Sequence, residues 1–263
     1  MGKITVCGIH FDNLNTEEAV HEVLRKDTPA QTVTTPNALM AEACAAHPEY
    51  LKLINSASVI LPDGAGILSA AKRQGTPLRT RVPGIEFGER LLAEAAKRGE
   101  RVFLLGGRDG VAPAAAKNLC RRYPGLQICG CFWGFFRREG EENRRVLGII
   151  NAVRPTVLLV CFGFPAQEQW IRDNIGFLPS VRVAAGLGGS LDVWAGEVRR
   201  APAPFRAVRM EWAWRMLRQP KRIKQLPRLF RFRSYSRKSG KAYRKMHTES
   251  EIQTETVDQM SQK

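Results

Sequence analysis

The sequence predicts an α/β fold, a largely parallel sheet flanked by helices, with a basic helical appendage at its C-terminal end. Three observations predict it. Short β-rich runs alternate along the chain with segments of helical periodicity. Several of those runs are continuously apolar, the pattern of strands covered on both faces. The chain has 263 residues, 44% of them hydrophobic, enough to enclose the core of one large domain. The same arithmetic excludes disordered and collagen-like chains.

The elements follow in order. A strand over 4–9 leads to a helix over 16–26. A second strand, 32–35, ends in Thr34-Thr35-Pro36-Asn37, which opens a helix over 37–54. Threonine and asparagine there serve as an N-cap and turn, or as ligand contacts. A strand over 58–61 runs into Leu61-Pro62-Asp63-Gly64-Ala65-Gly66 and a helix over 64–74. Asp63 is either a helix cap or a reactive carboxylate, with glycines beyond it that let a substrate approach the backbone. Arg81 precedes Pro83-Gly84 and a helix over 84–98.

A strand over 101–105 turns through Gly106-Gly107-Arg108-Asp109-Gly110 into a helix over 111–122, which contains Pro113. Such a turn offers backbone N–H groups and a helix dipole to a phosphate, although it is not G-x-G-x-x-G. Pro124-Gly125 precedes a strand over 126–129, and a helix over 141–153 follows. The buried strand 156–162 runs into Gly163-Phe164-Pro165-Ala166-Gln167-Glu168 and a helix over 166–177, and 181–185 forms the last strand. In an open parallel sheet, ligands bind beyond the carboxyl ends of the strands, so these four strand-exit loops form the candidate site.

The chain carries a formal charge of +16, and most of it lies in one block. Residues 1–198 hold 23 basic and 20 acidic side chains, whereas 199–247 hold 17 basic and one acidic, Glu211. The last sixteen residues hold one basic and four acidic side chains. A near-neutral body over 1–198 therefore precedes a cationic appendage over 199–238 and a polar tail, 239–263, expected to be disordered. Within the appendage 204–219 reads as a helix, with Phe205, Val208, Trp212 and Met216 on one stripe. Arg215, Arg218 and Arg222 form a basic ridge if the helix continues past Pro220.

A basic helix with tryptophan on its other faces fits an anionic membrane surface, where each cation contributes about 1 kcal/mol. Nucleic acid is the rival partner, and a plain solvated charge run is the third reading. The tail has no DNA- or RNA-reading motif, so no nucleic acid is expected. No apolar stretch approaches the length of a membrane span, and no secretory signal is expected. The six scattered cysteines fit small buried hydrophobes in a reducing compartment. The sequence has no P-loop, G-x-S-x-G elbow, H-E-x-x-H or D-x-D pair, and no clustered metal ligands. Any nucleotide diphosphate would have to be neutralised by cationic side chains or backbone amides.

Taken together, TPN (35–37), LPDGAG (61–66), RVPG (81–84), LLGG (104–107), FGFPAQE (162–168), GLGGSLDVWAG (186–196) and RAP (200–202) resemble the WecG/TagA/CpsF glycosyltransferase family. The motifs run in family order from about residue 4 to 224. The resemblance implies a Rossmann-like core and an inverting, metal-independent transfer from a UDP-sugar donor to a polyprenol-diphosphate-linked sugar acceptor, with no cofactor. For the teichoic-acid branch the transferred sugar is N-acetylmannosamine and the acceptor is GlcNAc on undecaprenyl diphosphate. Other UDP-hexoses, glucose or a ManNAc uronic acid, stay open, as does homo-oligomer formation.

Carried over residue by residue, the family pattern makes Asp63 the general base. It places Thr35, Asn37, Arg81, Gly106, Gly107 and Gln167 at the UDP-sugar, and Arg215, Arg218 and Arg222 at the lipid diphosphate. It implies a cytoplasmic protein attached peripherally to the inner face of a bacterial membrane. Glu211, Trp212, Arg215, Pro220 and Arg222 fit the family's E-W-x-x-R-x-x-x-x-P-x-R pattern. Phe205, Gln219 and the Phe135-Phe136 pair depart from what the family tends to carry.

Overall fold

The computed structural model describes residues 2–25, 28–198, 214 and 220–261, with 220–222 and 246–261 given by their backbone. Its centre is a six-stranded, all-parallel sheet in the order β4-β3-β8-β7-β5-β6. These strands are β3 (Gln31–Thr34), β4 (Val59–Ile60), β5 (Arg101–Gly106), β6 (Gln127–Phe132), β7 (Val157–Cys161) and β8 (Val183–Gly186). Val157 pairs with Val183 on one side and Val102 on the other, so β7 lies mid-sheet, and every residue in it is buried. That burial is what a continuous apolar run predicts.

The alternation of strand side chains divides the core. Val33, Val59, Val102, Leu104, Leu159 and Ala185 face α1 (Thr16–Val23), α5 (Gly84–Arg98), α6 (Val111–Arg122) and α9 (Ser190–Ala195). Phe103, Leu105, Leu158, Val160 and Ala184 face the opposite way, against α7 (Gly140–Val153) and α8 (Ala166–Asn174). A third cluster gathers Val6, Ile9, Phe11, Met40, Ile54, Ile60, Ile67 and Phe232. It lies where α2 (Ala38–Ala46), α3 (Pro48–Asn55) and α4 (Ala65–Gln74) meet the N-terminal strands and the C-terminal helix.

Four expectations need correction. The strand over 4–9 is a hairpin of β1 (Lys3–Val6) and β2 (Ile9–Asp12), pairing antiparallel. Cys7 and Gly8 both take positive φ, 53° and 80°, as a two-residue turn between twisted strands requires. Asn55 holds this turn from outside, donating to the Gly8 carbonyl at 2.9 Å and accepting from His10 N–H at 3.1 Å. The helix over 37–54 is two helices, because Pro48 forces His47 into extended backbone (φ −134°, ψ 93°). The segment Ser190–Ala195, not expected as a helix, forms α9. Of the cysteines, Cys7, Cys44 and Cys161 are buried as expected, but Cys120 is exposed.

The chain's end is helical as well. After a 3-10 turn, Pro220–Gln225, a helix α10 spans Leu226–Ser261 and passes through the position where disorder was expected to begin. Lys, Arg, Met and Ala supply adequate helix propensity, and packing supplies the rest. Phe232 is 4% exposed, and its ring lies 3.3 Å from where a Cβ on Gly66 would stand. Glu42 of α2 accepts hydrogen bonds from Arg228 and Arg231, each at 2.7 Å. Arg73 donates to Ser236 at 3.0 Å, and Arg244 donates to the Arg73 carbonyl at 2.9 Å. The appendage thus returns to the body along α4. Apart from Trp214, the helix expected over 204–219 lies outside the described residues. Among those described, no helix is long and apolar enough to cross a membrane.

Candidate active site

All six strands run parallel, so their exit loops emerge along one edge. From β5 the chain turns into α6 on one face, whereas from its neighbour β7 it turns into α8 on the other. Neighbouring exits that diverge open a crevice between them. Along the edge stand Asp63 after β4, Thr35 and Asn37 after β3, Gly188 after β8, Gln167 after β7 and the Gly106–Gly107 turn after β5.

The β3 and β4 exits are tied by main chain. Leu61 N–H donates to Thr34 O at 2.9 Å, and Asp63 N–H donates to Pro36 O at 3.1 Å. Val82 N–H donates to Pro62 O at 2.8 Å, which brings the Arg81–Gly84 neck into the same knot. A Cβ on Gly84 would lie 2.6 Å from Thr35 Oγ1, so only glycine lets α5 begin against that hydroxyl. Asp63, Thr35, Asn37 and Arg81 are all half-buried here. Asn37 is in fact an N-cap: its Oδ1 accepts from Leu39 and Met40 N–H at 3.0 and 3.2 Å. Its backbone neighbour across the gap is Gly64, where a Cβ would stand 3.9 Å from that of Asn37.

The glycine turn is demanded by its surroundings. Gly106 has φ 142°, and a Cβ there would meet the Cys161 carbonyl oxygen at 2.5 Å. Gly107, at φ 71°, directs its N–H to the same carbonyl at 3.4 Å and accepts from Gly134 N–H at 2.8 Å. Gly134 in turn carries the exposed rings of Trp133 and Phe135, 6.4 Å apart and nearly parallel, to the rim of the crevice. Sequence reasoning passed over Trp133 and noted Phe135 only as a departure from the family pattern, since exposure is not written in an aromatic residue.

Gln167 is 4% exposed and works as a clasp. Its Oε1 accepts from Gly163 N–H at 3.1 Å and Gly188 N–H at 2.9 Å, joining the β7 and β8 exits. Its Nε2 donates to Glu168 Oε1 at 2.9 Å, which also accepts from Thr34 Oγ1 at 3.0 Å. Glu168, a residue the sequence reading passed over, is 6% exposed, and burial pushes its carboxyl above the usual range. A Q-E pair opening a helix behind a buried strand was the available signal, but a carboxylate's burial cannot be read from it. Arg215 and Arg218 lie outside the described residues, and Arg222 is described only by its backbone in the 3-10 turn.

Residues 4–242 match the family described as "Glycosyl transferase WecG/TagA/CpsF family". Relatives from Staphylococcus aureus strains MRSA252, MW2 and NCTC 8325 are each named N-acetylglucosaminyldiphosphoundecaprenol N-acetyl-beta-D-mannosaminyltransferase. Each is 36% identical over 228 residues, covering 85% of this chain and 88% of the relative. The match takes in every strand exit on the edge and reaches into α10, and the chain belongs to the WecG/TagA/CpsF family of glycosyl transferases.

Proposed function

We propose that this chain moves N-acetylmannosamine from UDP to GlcNAc carried on undecaprenyl diphosphate, by a single inverting displacement without a metal ion. The observation that carries the reading is the likeness to the mannosaminyltransferases over most of both chains. The knot that ties Asp63 to the Thr35–Asn37 loop supports its chemistry.

A sugar hydroxyl is a weak nucleophile, and a positioned carboxylate can take its proton as the new bond forms. Asp63 fills that role from the acceptor side while UDP departs from the opposite face. The transition state has oxocarbenium character, as in other glycosidic chemistry. Arg81 and loop amides meet the charge that grows on the leaving diphosphate, and Thr35 and Asn37 contact the donor. Gly106 and Gly107 lie under the nucleotide, and Gln167 serves the donor by holding two loops. Arg215, Arg218 and Arg222 grip the acceptor's diphosphate, a task for which a bidentate guanidinium suits better than an ammonium. The appendage brings the body to the anionic inner face of a membrane, where a teichoic-acid-type polymer begins.

The test is a panel of UDP-sugars with a soluble lipid-diphosphate GlcNAc analogue, reading UDP release with and without a chelator. UDP-ManNAc is expected to turn over fastest, and chelation to leave the rate unchanged. Preference for another hexose overturns the donor assignment; loss of activity with the chelator overturns the metal-independent step.

A further inference from the structure

Glu168 stands at the start of α8, where its carboxyl meets groups from the ends of β3 and β7, the two strands that flank β8. We propose that Glu168 is a positioning residue of the donor pocket, a strut that fixes the loops after β3, β7 and β8 in one arrangement. This role rests on the donor reading above.

The geometry is specific. Glu168 Oε1 receives the Thr34 hydroxyl and Gln167 Nε2 together. The second contact sets which way the Gln167 amide points. With Nε2 on Glu168, the amide oxygen faces Gly163 and Gly188 N–H, the two donors that need an acceptor. Turned over, the amide would set its own N–H groups against those two donors and lose both bonds. The clasp also has little room to move, because a Cβ on Gly186 would lie 2.8 Å from Nε2. Thr34 immediately precedes Thr35 of the donor loop, so one oxygen registers three exits against each other.

Glu168 Oε2 is buried with no hydrogen-bond partner among the described residues. Burial there disfavours the charged form and pushes the carboxyl's pKa up, against the hydrogen bonds from Gln167 and Thr34. Its contribution is therefore one of shape and hydrogen bonding.

The experiment uses the full chain and reads UDP affinity by calorimetry, together with donor KM and acceptor KM. Glu168→Gln keeps a neutral acceptor oxygen and is expected to stay within about threefold of wild type on every measure. Glu168→Ala leaves two buried donors without an acceptor, and is expected to weaken UDP binding and raise donor KM about tenfold or more, with acceptor KM within about threefold. Thr34→Val removes one contact and keeps the side chain's outline, so it carries the test even where Glu168→Ala does not fold. A several-fold loss of UDP affinity in Thr34→Val supports the strut, and unchanged affinity overturns it. A folded Glu168→Ala with wild-type UDP affinity, a Glu168→Gln as impaired as Glu168→Ala, or an equal rise in both KM values also overturns it. A wild-type chain with no UDP affinity overturns the donor reading itself, and this role with it.

Discussion

The N–H of Asp63 donates to the carbonyl of Pro36 across 3.1 Å, so main chain fixes where the carboxylate's residue sits relative to the loop after β3. Changing Asp63 to asparagine leaves that bond and the side chain's shape in place. What it removes is a proton acceptor. General-base catalysis accounts for about 10²–10⁴-fold in rate. Asp63→Asn is therefore expected to lower transfer by about that factor while UDP affinity stays within about threefold. UDP release and calorimetry on the same preparation check it. Near-normal turnover would remove the base assignment.

Two glycines near the crevice differ in what surrounds them. A Cβ on Gly106 meets the Cys161 backbone, which cannot swing aside, at a φ of 142°. Gly163 has φ 86°, but nothing lies within 4 Å of where its Cβ would stand. Gly106→Ala is expected to destabilise the fold by about 3 kcal/mol or more, from overpacking and backbone strain together. Gly163→Ala carries the strain alone, about 1 kcal/mol. Urea unfolding separates the two, and equal losses would contradict the contact-based account.

The sheet was legible because its strands are covered on both faces, and that leaves continuous apolar runs such as Val157–Cys161. The loops were legible because parallel strands all exit on one edge, so motifs scattered from Thr35 to Gln167 had to meet. The Cys7–Gly8 turn was not, since a cysteine at positive φ has no local signature and is held by Asn55, 47 residues from Gly8. The break at Pro48 was written in the chain and was overrun by the apolar periodicity on either side. Glu168 was missed for a related reason. Residue type names a candidate, whereas burial and partners decide whether it reaches a ligand or holds the residue that does. The return of α10 onto α4 was hidden because composition marks a charged helix as solvated and does not show which stripe it buries.

That return determines what removal of the tail should do. Phe232 belongs to the same apolar cluster as Val6, Met40 and Ile67, and its ring closes over Gly66, next to the Asp63 loop. Phe232→Ala opens a notch there, at a cost of about 3 kcal/mol to the docked arrangement. The expected outcome is faster proteolysis between 223 and 245, with cuts confined to that stretch. A chain ending at 198 should expose the cluster and bind a hydrophobic dye more strongly than the full protein. Unchanged protease resistance in Phe232→Ala would show that the ring is dispensable for docking.

Glu42 makes the docking sensitive to acid. Burial by itself raises its pKa, but the hydrogen bonds and charges of Arg228 and Arg231 outweigh burial and hold the carboxyl below its ordinary value of 4.5. With α10 released, Glu42 loses both guanidinium partners and titrates nearer that ordinary value. The docked state therefore binds fewer protons, and linkage makes docking strongest above the ordinary value and weaker as pH falls through the depressed one. Both arginines are partly exposed, so added salt should weaken the contact as well. Hydrogen exchange over 223–245, corrected for its intrinsic pH dependence, should show protection at pH 7 that is lost as pH falls below the ordinary carboxylate range. Glu42→Gln removes the titrating group and leaves Arg228 and Arg231 beside a neutral amide, a loss of about 1–3 kcal/mol. That variant should lack protection over the segment at pH 7 and show little further change on acidification. If wild type keeps full protection through the acid range, the Glu42 pair does not hold α10 in place.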